Sequence, residues 1–182
     1  MNKLVKLPLF LGIVGASCGA VLAGLYAWTN PIIEENTAKA AAQSYLEIYK
    51  KYSVLEGDIV VENAITLSDE LFNAGCENRA IVNKAKGVAY TCSFNGYGGQ
   101  VKFQIAFAEG KYLGFKALVN KESNQGAAAI SGMPGIINGK DAETSLLDEK
   151  LLNAASYTGV PLANIIEVCR NDYLAWYALN KD

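Results

Sequence analysis

Near its end the chain reads "NAASYTGVPLANIIEV" (residues 153–168), with Ser156, Tyr157, Thr158 and Gly159 ahead of the apolar positions Leu162, Ile165, Ile166 and Val168. A small, hydroxyl-bearing loop that opens a helix can hold an anion. The first N–H groups of a helix have no intrahelical acceptor and point outward. The other options for chemistry are narrow. The sequence contains no histidine, which excludes His-based triads, His-ligated zinc or haem and the usual near-neutral proton shuttle. Its four cysteines, Cys18, Cys76, Cys92 and Cys169, form no C-x-x-C pair, so a zinc ribbon or a thioredoxin-type site is not expected. Formal net charge is −2 without a clustered basic run, and no nucleic-acid partner is expected.

An anchor comes first among the elements that would position such a loop. Residues 7–28, "LPLFLGIVGASCGAVLAGLYAW", carry no charge. At a rise of ~1.5 Å per residue this run reaches about 33 Å, enough to cross a bilayer core. Tyr26 and Trp28 fall where an aromatic belt would sit. Lys3 and Lys6 precede the run, and every acidic residue lies from Glu34 onward. The positive-inside rule then places the N-terminus in the cytoplasm and the main domain outside, on a single-pass anchor. The run is longer than a signal-peptide core. It also continues past Cys18, unlike a lipoprotein signal. Small residues such as Gly12 and Ala16, or Ala20 and Gly24, have the spacing that lets another membrane helix approach. Residues 1–30 are therefore read as the anchor with a short cytoplasmic start, and residues 31–182 as one extracytoplasmic domain.

Within that domain, "NPIIEENTAKAAAQSYLEIYKKY" predicts a helix over about residues 31–52. Asn30 would be its cap, Pro31 its first residue, and Tyr45, Leu46 and Tyr49 part of an apolar stripe. "GDIVVENAITL" suggests a short strand. "SDELFNAG" suggests a short helix capped by Ser68 and stopped at Gly75. Three strand-like runs follow. The first is "AIVNKAKGVAYTCSF", which ends in the turn "NGYGG". The second is "QVKFQIAFAEG", where Val101, Phe103, Ile105 and Phe107 alternate with Gln100, Lys102 and Gln104 to give one buried face. The third, "KYLGFKALVNKES", follows a turn at Glu109-Gly110, and a meander of hairpins is expected. "NQGAAAISGMPGIINGKDAETS" reads as loop because of Gly126, Gly132, Gly135, Gly139 and Pro134. Residues 161–170 read as a helix, with "NDYLAWYALN" continuing it after a break. The fold class is α+β, a helix-flanked antiparallel sheet on one transmembrane helix. Cys76 and Cys92 lie on the outward domain, where a disulfide closing the loop between them would be worth about 3 kcal/mol. Cys169 reads as a small buried residue, although its pairing with either of the others stays open.

This order of elements resembles the FMN-binding domain family, which includes the G subunit of Rnf electron-transport complexes and the C subunit of the sodium-translocating NADH:quinone oxidoreductase. The resemblance covers about residues 5–170. It is most specific in "GYGGQVKFQIAFAEGKYLGFKALVNKES", where a G-Y-x-G turn leads through two strands to a glutamate, here Glu122. The loop after it, "SNQGAAAI", departs from the family type. The family's Ser/Thr-Gly-Ala-Thr signature, whose last threonine a flavin transferase esterifies with FMN, falls on Ser156, Tyr157, Thr158 and Gly159. The acceptor position is then Gly159, and Pro161 in the other possible register. Thr158 is the nearest threonine that could substitute. The resemblance implies an extracytoplasmic redox subunit with FMN held by Glu122, Ser156, Tyr157, Thr158 and Gly159, among other membrane subunits of an electron-transport complex. Tyr97 or Tyr157 could stack on the ring. A subunit that keeps the fold as an adaptor without flavin is the alternative. A pilin-like protein is a third reading, but it lacks the expected leader-peptidase site.

Overall fold

The computed structural model describes residues 3–63, 65–137 and 139–181. The chain divides into two compact units, Met1–Ala40 and Ala41–Asp182. Helix α1 spans Lys3–Ile48. Its backbone is helical through Asn30 and Pro31, so the segment after Pro31 continues the preceding helix as a stalk and does not start a new one. The Ala-rich segment after Pro31 is a strong helix former and carries the helix past the one backbone N–H that proline lacks. Among the described residues no helix is long and apolar enough to cross a membrane. The side chains of residues 7–10 and 13 of the uncharged run, and those of Lys3, Lys6, Asn30, Pro31, Glu34 and Glu35, lie outside the described residues.

The second unit is built on a five-stranded antiparallel sheet in the order β1-β2-β3-β4-β5. The strands are β1 (Ile59–Asn63), β2 (Cys76–Val82), β3 (Gly87–Asn95), β4 (Gln100–Ala108) and β5 (Lys111–Asn120). The expected meander is present, with one more strand than the runs suggested. "AIVNKAKGVAYTCSF" is two strands, folded back at Asn83–Lys86, where Lys86 takes φ 43°. The turn between β4 and β5 is the expected one. Glu109 and Gly110 both have positive φ, 52° and 77°, as a two-residue type I′ turn requires. The β4–β5 ladder is interrupted by register shifts at Lys102/Phe103 and at Ala106/Phe107. The short helix α2 (Asp69–Asn73) also forms as expected. The Leu71 amide donates to its cap Ser68 (3.4 Å), and Gly75 follows at φ 89°.

The alternation in β4 predicts one buried face, but helices cover both. On the first face Val88, Tyr90 and Cys92 of β3 and Val101, Phe103, Ile105 and Phe107 of β4 pack against three helices, α3 (Asn124–Ile137), α4 (Lys150–Ala154) and α5 (Gly159–Asn180). The other face is paved with small residues, Ala80, Ala89, Ala106 and Ala108, and receives Tyr45 and Tyr49. Gln104, expected to face water, is buried there at 1% exposure.

A polar network accounts for its burial. The Ser44 hydroxyl donates to Gln104 Oε1 (2.5 Å), and Gln104 Nε2 donates to Thr91 Oγ1 (3.1 Å). The Tyr45 hydroxyl donates to Asn78 Oδ1 (2.5 Å) and lies 2.6 Å from Thr91 Oγ1. Burial pushes the Tyr45 phenol far above its ordinary range, so it stays a donor. Tyr45→Phe takes the donor from Asn78 Oδ1, in a residue only 7% exposed, while Thr91 Oγ1 keeps its bond from Gln104. It should cost about 1–3 kcal/mol, read as a lower urea midpoint with unchanged slope. A change below about 0.5 kcal/mol would show that the network contributes little.

Two further expectations fail for physical reasons. The first part of the stretch read as loop is α3, and only residues 139–145 are irregular. The helix's buried residues Gly126, Ala129, Ile130, Met133 and Ile137 fall on one helical face, and two of the glycines that suggested a loop, Gly126 and Gly132, serve close packing. The break expected before "NDYLAWYALN" is absent, since α5 contains no proline or glycine after Pro161. Its Tyr173 stacks on Phe107 at 4.9 Å between ring centroids.

Candidate functional site

A cleft of about 390 Å³ opens where the β3–β4 turn, the start of α3 and the loop before α5 converge. Pockets of this size can hold a small molecule. Tyr97, Glu122, Ser156, Tyr157 and Thr158 all line it. These residues come from three separate stretches of chain, and the sheet register brings them together. Asn95 pairs with Gln100 and Val101 with Asn120, so the 96–99 turn and the 121–123 segment leave the same end of the sheet. Gly159 is the exception among the expected residues. It is buried as the first residue of α5, packed against the Leu152 backbone, and does not line the cleft.

Glu122 is the centre of the site. Its Oε2 accepts from the Gly98 N–H at 3.1 Å, while its Oε1 is buried without a hydrogen-bond partner. Glycine backbones crowd the carboxylate. A Cβ on Gly96 would overlap Oε1 and come within 3.0 Å of Thr158 Oγ1. A Cβ on Gly126 would meet Glu122 Oε2 at 2.6 Å and Thr158 Oγ1 at 2.9 Å. The Thr158 hydroxyl is therefore buried beside the carboxylate, in a residue only 2% exposed.

Two helix starts meet here, and they differ as anion sites. At α5 the Thr158 and Gly159 amides already donate to the Ala155 carbonyl (2.9 and 2.5 Å), the Leu162 amide donates to Thr158 O, and Pro161 has no N–H. Few donors remain for a ligand. At α3 the first residues Asn124, Gln125 and Gly126 themselves line the cleft. Glu122, two residues ahead of that helix, places a carboxylate where the helix dipole favours negative charge. These α3 residues were missed because Gly126, Gly132 and Pro134 read as loop. The apolar spacing Ala129–Ile130–Met133–Ile137 was the available signal.

At the mouth, Tyr97 and Tyr157 are 82% and 75% exposed, with ring centroids 6.1 Å apart and planes at 48°. Two large exposed aromatic rings flanking a polar cleft suit a planar ligand. Among the described residues that line the cleft there is no lysine, arginine or cysteine, and Glu122 is the one acidic side chain. The arrangement can bind and orient a ligand. No family model and no curated protein matches the chain.

Proposed function

We propose that this chain is a membrane-anchored, extracytoplasmic subunit of an Rnf- or Nqr-like electron-transport complex, and that it binds FMN non-covalently in the cleft. The observation that carries the reading is the convergence of Tyr97, Glu122 and Ser156–Thr158 on one cleft, the residues that the resemblance singles out. The cleft residues divide the work. Tyr97 or Tyr157 would stack on the flat ring. Gly96 and Gly126 make room for the Glu122 carboxylate itself, whose unpartnered Oε1 would accept a hydrogen bond from a ligand N–H. Bound there, flavin supplies the electron-transfer chemistry, while the protein sets its place and orientation. The anchor rests on the uncharged run at residues 7–28 and on the charges that flank it. The partners are then the other membrane subunits of the complex.

A phosphoester to the chain fits the site poorly. The acceptor position is Gly159, which has no hydroxyl and is packed against Leu152. The Thr158 hydroxyl is buried against Glu122, where a second negative charge would be repelled. The same two facts favour the second reading, a structural subunit of such a complex that carries no flavin.

The test is intact mass together with flavin released by denaturation, on protein co-expressed with its own flavin transferase. An unmodified mass with released FMN is expected, and Thr158→Ala should not add or remove any covalent flavin. A mass increased by one FMN moiety would overturn non-covalent binding. An unmodified mass with no released flavin would select the structural subunit.

A further inference from the structure

Cys76 opens β2, Cys92 lies opposite it on β3, and Cys169 is on α5. Their Sγ atoms are mutually close, at 2.7 Å for Cys76–Cys92, 3.5 Å for Cys76–Cys169 and 3.7 Å for Cys92–Cys169. All three thiols are free and buried, at 2%, 0% and 0% exposure. A core of this kind would be equally well filled by alanine or valine, so three sulfur atoms in contact need a chemical reason.

Two chemistries use such a cluster. A soft metal ion would need deprotonated ligands at about 2.3 Å. Three thiolates around a mono- or divalent ion leave net negative charge in an apolar core, which is costly. The charged groups acting on Cys76 are Asp172 and Glu77, both acidic. The nearby cation, Arg79, is already held by Glu62 (3.0 Å) and Asp172 (2.9 Å). With no histidine in the chain, no imidazole can complete the sphere. A disulfide is neutral and suits the same core. It uses two sulfurs and leaves the third within reach of both.

We infer that Cys76, Cys92 and Cys169 form one thiol–disulfide exchange site, in which a Cys76–Cys92 bond within the sheet interconverts with a Cys76–Cys169 bond between the sheet and α5. The oxidant is a small-molecule disulfide, RSSR. The Cys76 thiolate attacks it and one RS⁻ leaves. The Cys92 thiolate then displaces the second RS⁻, so the two protein thiols lose two electrons and two protons while RSSR becomes two RSH. Transfer to Cys169 is redox-neutral. The Cys169 thiolate attacks Cys76 Sγ, the bond to Cys92 breaks, and Cys92 takes up the proton that Cys169 gave. Cys76 is the entry point because it lies at the end of β2 and its sulfur is the nearest to both others, at 2.7 and 3.5 Å. Hydrogen bonds from the Cys169 and Cys92 thiols also hold its own thiol below the usual range, whereas burial pushes Cys92 and Cys169 up. Burial requires a local opening before RSSR can enter. The first bond joins two strands that already pair. The second ties α5, the helix that starts after Thr158 at the cleft, to β2.

The test uses the full chain in detergent, equilibrated in mixtures of reduced and oxidised glutathione, quenched with acid, alkylated with N-ethylmaleimide and peptide-mapped. Both linkages are expected in the oxidised wild type, within about tenfold of each other. Cys92→Ala should yield only Cys76–Cys169, and Cys169→Ala only Cys76–Cys92. A wild-type map with a single linkage at every glutathione ratio would overturn exchange, and three alkylated cysteines throughout would overturn the site itself. Protection of all three thiols with a bound zinc ion in native mass spectrometry would replace it with a metal centre. If a variant does not fold, the wild-type map alone decides.

Discussion

Phe107→Ala is expected to destabilise the domain by about 3–5 kcal/mol, the range for emptying an aromatic site in a packed core. Phe107 is fully buried on β4. Its ring stacks on Tyr173 at 4.9 Å, meets Tyr112 at 5.0 Å and faces the edge of Tyr90 at 6.1 Å. These three partners come from α5, β5 and β3, so one cavity would loosen the helix and both neighbouring strands together. The backbone at the same position supports the opposite face, because the Tyr49 hydroxyl donates to the Phe107 carbonyl at 2.8 Å. Gly87 passes so close that a Cβ would meet that carbonyl oxygen at 2.5 Å. That face has little room in which to collapse and fill the void. Equilibrium urea unfolding of the domain measures the effect, and a loss below about 2 kcal/mol would mean that the ring cluster repacks.

Gly126→Ala is expected to weaken flavin binding at least tenfold, about 1.4 kcal/mol, without unfolding the protein. The new methyl group would press on Glu122 Oε2 and Thr158 Oγ1, the two groups that shape the cleft floor. Helix propensity acts the other way, since alanine gains up to about 1 kcal/mol over glycine in a helix interior. Gly135→Ala separates the two effects. It lies in the same helix with nothing within 4 Å of its Cβ position. That variant should be slightly more stable and bind flavin as the wild type does. Fluorescence titration with free FMN measures both, and equal affinities for the two variants would detach Gly126 from the site.

The sheet was legible in the sequence because local rules suffice for it. Period-2 alternation in β4, the Glu109–Gly110 turn and the Ser68 cap each act over a few residues. What escaped depended on contacts between distant segments. Gln104 reads as polar and outward until Ser44 and Thr91 are seen to satisfy it. Gly126 and Gly132 of α3 read as chain breakers until Glu122, Thr158 and Leu151 are seen to occupy the space a side chain would need. The cleft itself was half legible. Glu122 and Ser156–Thr158 emerged from a resemblance in short motifs, while Asn124–Gly126 were hidden by the loop reading. The cysteine trio was out of reach of spacing arguments, since Cys169 meets its partners only when α5 lies across the sheet.

The interrupted β4–β5 ladder bears on how this sheet ends. An outermost strand with regular, unpaired amides is a template on which another chain can add, and assemblies grow from such borders. Here β5 departs from register twice along its length, which bends and twists it. It also carries Lys111 and Lys116, and an incoming strand would have to desolvate their ion pairs with Asp141 and Glu47. At the opposite border β1 is only five residues long, with Glu62 engaged by Arg79. Both borders therefore resist strand-by-strand growth, and the sheet stops at five strands without a barrel closing it.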